Sequence, residues 1–122
     1  KLINVHRGIM QKYRGLDTEF WAIFNDDYKS IGTTIHFVNS HLDKGKIIFE
    51  EKLKLKRNMK CYQLRFYTTL IAIKNIKKVI SYFPIKNLKT LKKQKVGKYY
   101  SKIPYKIKVE ACKKFNKYCK NI

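Results

Sequence analysis

From Met59 to Phe83 apolar residues return every three or four positions: Met59, Tyr62, Phe66, Leu70, Ile73, Ile76, Ile80 and Phe83. A period near 3.6 puts such residues on one stripe of an α-helix. The spacing predicts a helix from about Asn58 to Phe83, with that stripe on the core and Pro84 as its stop. A helix of this length needs a broad apolar partner, and the segments before it read as strands. Lys1 to His6 reads as a short buried strand. Thr33 to Asn39 is β-branched and aromatic, and Lys46 to Leu55 alternates towards its end. Between them, Arg7 to Gly15 reads as a loop and Ser40 to Gly45 as a turn. Asp17 is the expected N-cap of a helix over Thr18 to Asn25. Strand, helix, strand, strand and long helix together predict an α/β sheet with flanking helices. Residues 85–103 read as a basic connector. Tyr105 to Cys119 reads as a last short helix with Val109, Cys112, Phe115 and Cys119 on one face.

Charge divides the chain. Residues 1–51 carry seven Lys or Arg and seven Asp or Glu, whereas residues 52–122 carry twenty-two Lys or Arg and one acid, Glu110. The whole net charge of +21 therefore lies in the second part. Such a surface is either a solvated Lys-rich face or one that meets an anion: a nucleotide diphosphate, RNA or a membrane. No apolar run approaches the roughly 20 residues that span a bilayer. Three cysteines, Cys61, Cys112 and Cys119, form no C-x-x-C pair. An odd count without a secretory signal predicts free thiols in a reducing, cytoplasmic compartment. Cys112 and Cys119 are then read as core residues of one helical face. None of the three histidines has the close spacing of a zinc site, so no metal is expected.

The chemistry-bearing residues fall in the neutral part. Asn4 and His6 are two positions apart on a strand and so project to the same face. An amide N–H₂ there is a donor for a developing oxyanion, and an imidazole, with an ordinary pKa of about 6.5, suits proton transfer. Asp43, thirty-seven positions after His6, supplies a carboxylate that orients an imidazole or holds a water. Each of these alone has a bland reading: an Asn-x-His by chance, an Asp before Lys-Gly as a turn. Thr34 and His36 on the middle strand read equally as core or as support for the site.

Four segments in order, Ile3-Asn4-Val5-His6, Tyr13-Arg14-Gly15-Leu16, Gly32 to Val38, and Leu42-Asp43-Lys44-Gly45, resemble the folate-dependent formyltransferase family. The resemblance covers about residues 2–83, the second half of that family's Rossmann-like catalytic domain. It implies a partial catalytic domain over residues 1–83, followed by a basic connector and C-terminal helix over 84–122. It also implies a chain entered in mid-domain, lacking the family's earlier strand–helix units. By this resemblance Asn4, His6 and Asp43 are catalytic. Val38, Asn39, Leu42 and Asp43 belong to the loop that receives the pterin of 10-formyltetrahydrofolate, the formyl donor. Thr34, His36, Tyr13, Arg14 and Trp21 are supporting or substrate residues, Arg14 being a structural anchor or an anion contact. One segment departs from the family: where Pro-Ser-Leu-Leu-Pro follows the histidine, this chain has Arg7-Gly8-Ile9-Met10-Gln11. The aromatic pair Phe20-Trp21 is closer to the branch that formylates amino sugars on nucleotide carriers, and its other reading is core packing. The implied acceptor is thus a small-molecule amine, most readily a sugar nucleotide. The alternatives are a methionyl-tRNA formyltransferase-like protein, or a truncated relic that binds RNA through its basic half. An open sheet edge would favour a homo-oligomer or a partner that supplies the N-terminal half.

Overall fold

The computed structural model describes residues 2–40, 45–82, 89–90 and 93–122. The expected turn with Leu42 and Asp43, and the expected helix end at Phe83 and Pro84, lie outside the described residues.

Three strands make the main sheet: β1 (Ile3–His6), β3 (Gly32–Phe37) and β4 (Ile47–Lys52), in the order β1-β3-β4 and antiparallel throughout. The central β3 is nearly all buried, as expected of its β-branched run. Across the β1–β3 pair, Asn4 faces His36 and His6 faces Thr34, while Ile3 and Val5 face Phe37 and Ile35. Alternation therefore gives this sheet one polar face and one apolar face.

The apolar face receives α2 (Leu64–Ser81), which follows a 3-10 turn at Cys61–Gln63. Ile35, Ile48 and Val79 are buried together there, flanked by half-buried Ile3, Val5, Phe37, Phe49 and Ile76. Thr33 Oγ1 donates to the Thr68 carbonyl at 3.1 Å, which pins strand to helix. The helix thus turns a different stripe inward from the one the sequence predicts. Its buried residues are Leu64, Thr68, Asn75 and Val79. Tyr62, Phe66 and Ile80 are 82%, 61% and 60% exposed, and Leu70 and Ile73 are exposed beside them. Polar residues are tolerated inward because they are bonded: Thr68 Oγ1 donates to the Leu64 carbonyl and Asn75 Nδ2 to Glu51.

A second core lies beyond the end of the sheet. It joins α1 (Thr18–Phe24), the turn at Cys61, the start of α2 and α3 (Tyr105–Asn121) around buried Phe20, Ile23, Leu64, Ile103 and Phe115. On α3 the buried residues are Ala111, Phe115 and Cys119, so Ala111 replaces the expected Val109. The expected loop before Gly15 and the connector each hold a strand. β2 (Tyr13–Gly15) pairs in parallel with β5 (Lys98–Tyr100), a contact between segments far apart in sequence.

Two further expectations are corrected. Asp17 is not a side-chain N-cap: its φ is 50°, and its carboxylate accepts the Ile103 N–H at 3.1 Å. Its backbone carbonyl instead accepts the N–H groups of Phe20 and Trp21. Cys61 and Cys112 are joined in a disulfide rather than being free, and Cys119 is a buried free thiol. Packing of α3 beside the turn at Cys61 is what brings the two sulfurs together. Among the described residues no helix is long and apolar enough to cross a membrane.

Candidate functional site

His6 ends β1 and is 6% exposed. Its Nε2 lies 3.0 Å from the Tyr13 carbonyl oxygen. A carbonyl only accepts, so Nε2 carries the proton, and in the neutral ring Nδ1 is the basic nitrogen. The segment after His6 folds back over the polar face of the sheet. Thr34 Oγ1 donates to the Gly8 carbonyl at 2.7 Å and accepts the Met10 N–H at 3.1 Å. A Cβ at Gly8 would stand 2.9 Å from His6 Nε2 and 2.2 Å from Thr18 Oγ1, so only glycine lets the chain close this tightly on the imidazole. Thr34, fully buried, thus acts as the anchor of the loop that roofs His6.

Asn4 is exposed on the same face. Its Nδ2 is 3.4 Å from His36 Nε2, and His36 Nδ1 is 2.9 Å from the Phe37 carbonyl oxygen. That second bond puts the proton on Nδ1, so His36 Nε2 accepts from the Asn4 amide. The pair holds the amide plane at the open side of the sheet. A Cβ at Gly45 would come within 1.4 Å of the Phe37 carbonyl oxygen, so the return into β4 depends on glycine there. Val38 is exposed and continues the pairing through its N–H to the Leu2 carbonyl, and Asn39 is exposed after it. Asp43 and Leu42 lie outside the described residues.

The other expected residues are spread around this centre. Tyr13 gives its carbonyl to His6, stacks its ring on Tyr100 and points its hydroxyl at Asp27. Arg14 Nε donates to the Gly97 carbonyl at 2.5 Å, tying β2 to the segment before β5. Trp21 packs edge-on to Phe24 and donates from Nε1 to the Ser101 carbonyl. It does not line the cavity that reaches His6.

That cavity, of about 340 Å³, opens beside His6 and is lined by Arg7, Asp17, Glu19, Thr33, Arg65 and Thr68, among others. Sequence reasoning missed Glu19. It is 4% exposed at the start of α1, and burial raises its carboxyl above the ordinary range while Arg7 and Arg65 pull it down. The available signal was an acid opening the apolar run Phe20 to Ile23. Arg7, which also lines this cavity, stands where the family loop has its first proline.

Residues 1–66 match the family profile described as Formyl transferase. The chain belongs to the formyl transferase family. Phosphoribosylglycinamide formyltransferase of Haemophilus influenzae is 40% identical over 55 residues, which are 45% of this chain and 26% of that protein. Methionyl-tRNA formyltransferase of Finegoldia magna is 32% identical over 80 residues, 66% of this chain and 26% of its own. Among solved structures, the N-formyltransferase of Helicobacter canadensis, in complex with folinic acid and dTDP-3-aminofucose, superposes with a TM-score of 0.72 at 27% identity. It is matched over 83% of this chain and 38% of its own. The formyl transferase chain described here therefore spans about a quarter of the length of these curated relatives.

Proposed function

We propose that this chain carries the catalytic strand of an enzyme that moves a formyl group from 10-formyltetrahydrofolate to the amine of a nucleotide-linked amino sugar. The observation that carries the reading is Asn4 and His6 on one face of β1, each tied to a partner on the polar side of the sheet. The chemistry needs a donor at the carbonyl oxygen and a base at the attacking amine. Asn4 Nδ2–H meets the first need and His6 Nδ1 the second. By the family resemblance, the carboxylate of Asp43 would complete the set by orienting the imidazole or a water. The residues at hand fit the donor: the exposed Asn4 amide lies on the face next to exposed Val38 and Asn39, a surface both polar and apolar, suited to a flat hydrogen-bonding heterocycle. 10-Formyltetrahydrofolate supplies the reactive carbonyl when bound. Similarity to the enzyme with bound dTDP-3-aminofucose favours an amino-sugar acceptor.

A second reading, a methionyl-tRNA acceptor, is favoured by the Finegoldia relative and by the basic second part of the chain. The test is a formyl-transfer assay of the full-length gene product, followed by mass spectrometry. Amino-sugar nucleotide, phosphoribosylglycinamide and methionyl-tRNA are offered in parallel. A formamido sugar as the main product supports the first reading, and formyl-methionyl-tRNA as the main product replaces it.

A further inference from the structure

The fold leaves one side of α2 exposed along its whole length. Tyr62, in the 3-10 turn before the helix, and Phe66, Leu70, Ile73 and Ile80 along it are all exposed, and exposed Tyr82 ends the row. From Tyr62 to Ile80 their spacing puts them on one stripe of a helix. Leu64, Thr68, Asn75 and Val79, on the opposite side, hold the helix to the rest of the chain. With 18 residues the helix is about 27 Å long. A contiguous apolar surface of that reach marks a face that meets something other than water.

The charge around the stripe decides what that is. α2 carries Arg65, Lys74, Lys77 and Lys78 and no acid, and residues 52–109 hold no acid at all. Lys74 meets Glu51 on β4, whereas Lys77 and Lys78 are exposed. Lys77 follows Ile73 by four positions and Leu70 by seven, so its ammonium rises from within the stripe. Packing stripe on stripe would bury Lys77 among the cations of a second copy, and each copy carries +21. A protein groove would also have to bury Lys77 and supply an acid for it. A bilayer surface imposes neither requirement. Lys77 can lay its methylene stem along the apolar side chains and keep its ammonium among phosphates, while anionic headgroups attract the rest of the basic face. Tyr62 and Tyr82, one at each end, suit the headgroup level, where the ring is in an apolar setting and the hydroxyl is wet.

We infer that α2 lies flat on the surface of an anionic phospholipid bilayer. Phe66, Leu70, Ile73 and Ile80 enter the boundary between headgroups and acyl chains, and Lys77 and Lys78 meet the phosphates. This is adsorption in the plane of the surface, as of an amphipathic helix with cations on its polar flanks, and not a crossing of the membrane. It is independent of the acceptor that the site takes.

The test uses the full 122-residue chain, carrying the fluorophore NBD through Ile73→Cys, with vesicles of equal parts phosphatidylcholine and phosphatidylglycerol. Cys119 is buried and Cys61 is bridged to Cys112, so in the unreduced fold the new thiol takes the label. Co-sedimentation with the vesicles at about 0.15 M salt is expected, with a blue shift of the label and its quenching by lipids brominated on the acyl chains. Phe66→Ser with Ile80→Ser, which alters no charge, should weaken binding about tenfold or more, the scale of one large apolar side chain withdrawn. Val96→Ser with Tyr99→Ser, exposed apolar residues around β5, should leave it unchanged. Binding without a shift of the label, or equal weakening by both pairs, would mean attraction by charge alone and overturn the proposal. So would a shift that appears on concentrating the chain without vesicles, the mark of a second copy on the stripe. A shift produced by an acidic amphipathic peptide and not by vesicles would assign the stripe to a protein partner instead. Loss of vesicle binding in the full-length gene product would mean that the stripe is covered within the protein, and would equally overturn the proposal.

Discussion

At the residue scale, Asn4 and His6 share a face but not an environment. The amide is exposed and braced by His36, whereas the imidazole is roofed by the Gly8 to Met10 segment and fixed by the Tyr13 carbonyl. In the full-length gene product, His6→Ala should lower kcat by about 10²–10⁴, the usual scale for a lost acid–base group. Asn4→Ala should lower it by about 10²–10³, as for a lost oxyanion donor. Turnover unchanged in either variant removes that residue from the mechanism. Glu19 gives a pH signature. Burial raises its carboxyl above the ordinary 4.5. The unfolded chain releases this proton near that value, whereas the folded chain keeps it to higher pH. Between the two values the folded state binds more protons, so this group's contribution is full below about 4.5 and declines as pH rises. Glu51, held low by the Lys74 hydrogen bond, acts in the opposite sense on acidification, so the comparison must be with a variant. Glu19→Gln should unfold at a higher temperature than the parent at pH 7, with the gap closing towards pH 4. A gap that widens on acidification would mean that Glu19 is stabilised as a carboxylate.

At the scale of elements, α2 carries two stripes on opposite sides. Leu64, Thr68, Asn75 and Val79 face the sheet and the second core, while Phe66, Leu70, Ile73 and Ile80 face outward. Leu64→Ala should cost about 2–5 kcal/mol in urea unfolding, the range for a buried leucine. Phe66→Ala should stay within about 0.5 kcal/mol, as at other surface positions. Similar losses for both would restore the stripe that periodicity favours. The helix itself was legible, because a 3.6-residue period needs no tertiary information. Its inward face was not, because the outward stripe is the more apolar of the two and the inward polar groups are satisfied by tertiary and helix partners, Glu51 and the Leu64 carbonyl, that periodicity does not reveal. β2 and β5 were hidden for a related reason: three residues carry no period, and each is a strand only because the other is present. Cys61 and Cys112 stand 51 positions apart, and pairing at that distance cannot be deduced from sequence. Cys112→Ser should therefore lower stability by about 2–4 kcal/mol in oxidising buffer and have little effect once the parent is reduced. Alkylation of the unreduced parent in denaturant should label one thiol, Cys119. Three labelled thiols would show that the bridge is absent.

At the scale of the whole molecule, the strand–helix order of the first half was readable, and so was the family, because its motif segments fall in order along residues 1–66. What the basic second half does was not readable, because charge alone does not say where it points. In the folded chain, residues from both halves share one core: α3 lies against α1, and Lys114 reaches the Phe24 carbonyl and Asp26. The acidic partners are few, so most of the positive charge has nothing of opposite sign beside it. Exposed ion pairs such as Lys12–Asp27 add little and weaken with salt. Repulsion among the remaining cations, on a chain of 14.6 kDa with net charge +21, acts against the compact state and also weakens with salt. The two effects oppose each other, and the surplus of like charge decides the sign. The screening length shortens from about 30 Å at 0.01 M salt to about 8 Å at 0.15 M, which damps the repulsion between separated charges. Raising sodium chloride over that interval should raise the unfolding temperature, and sodium sulfate at equal ionic strength should do so at least as well. A temperature that falls with salt would mean that the ion pairs outweigh the repulsion, and that the basic half is more tightly paired than its composition allows.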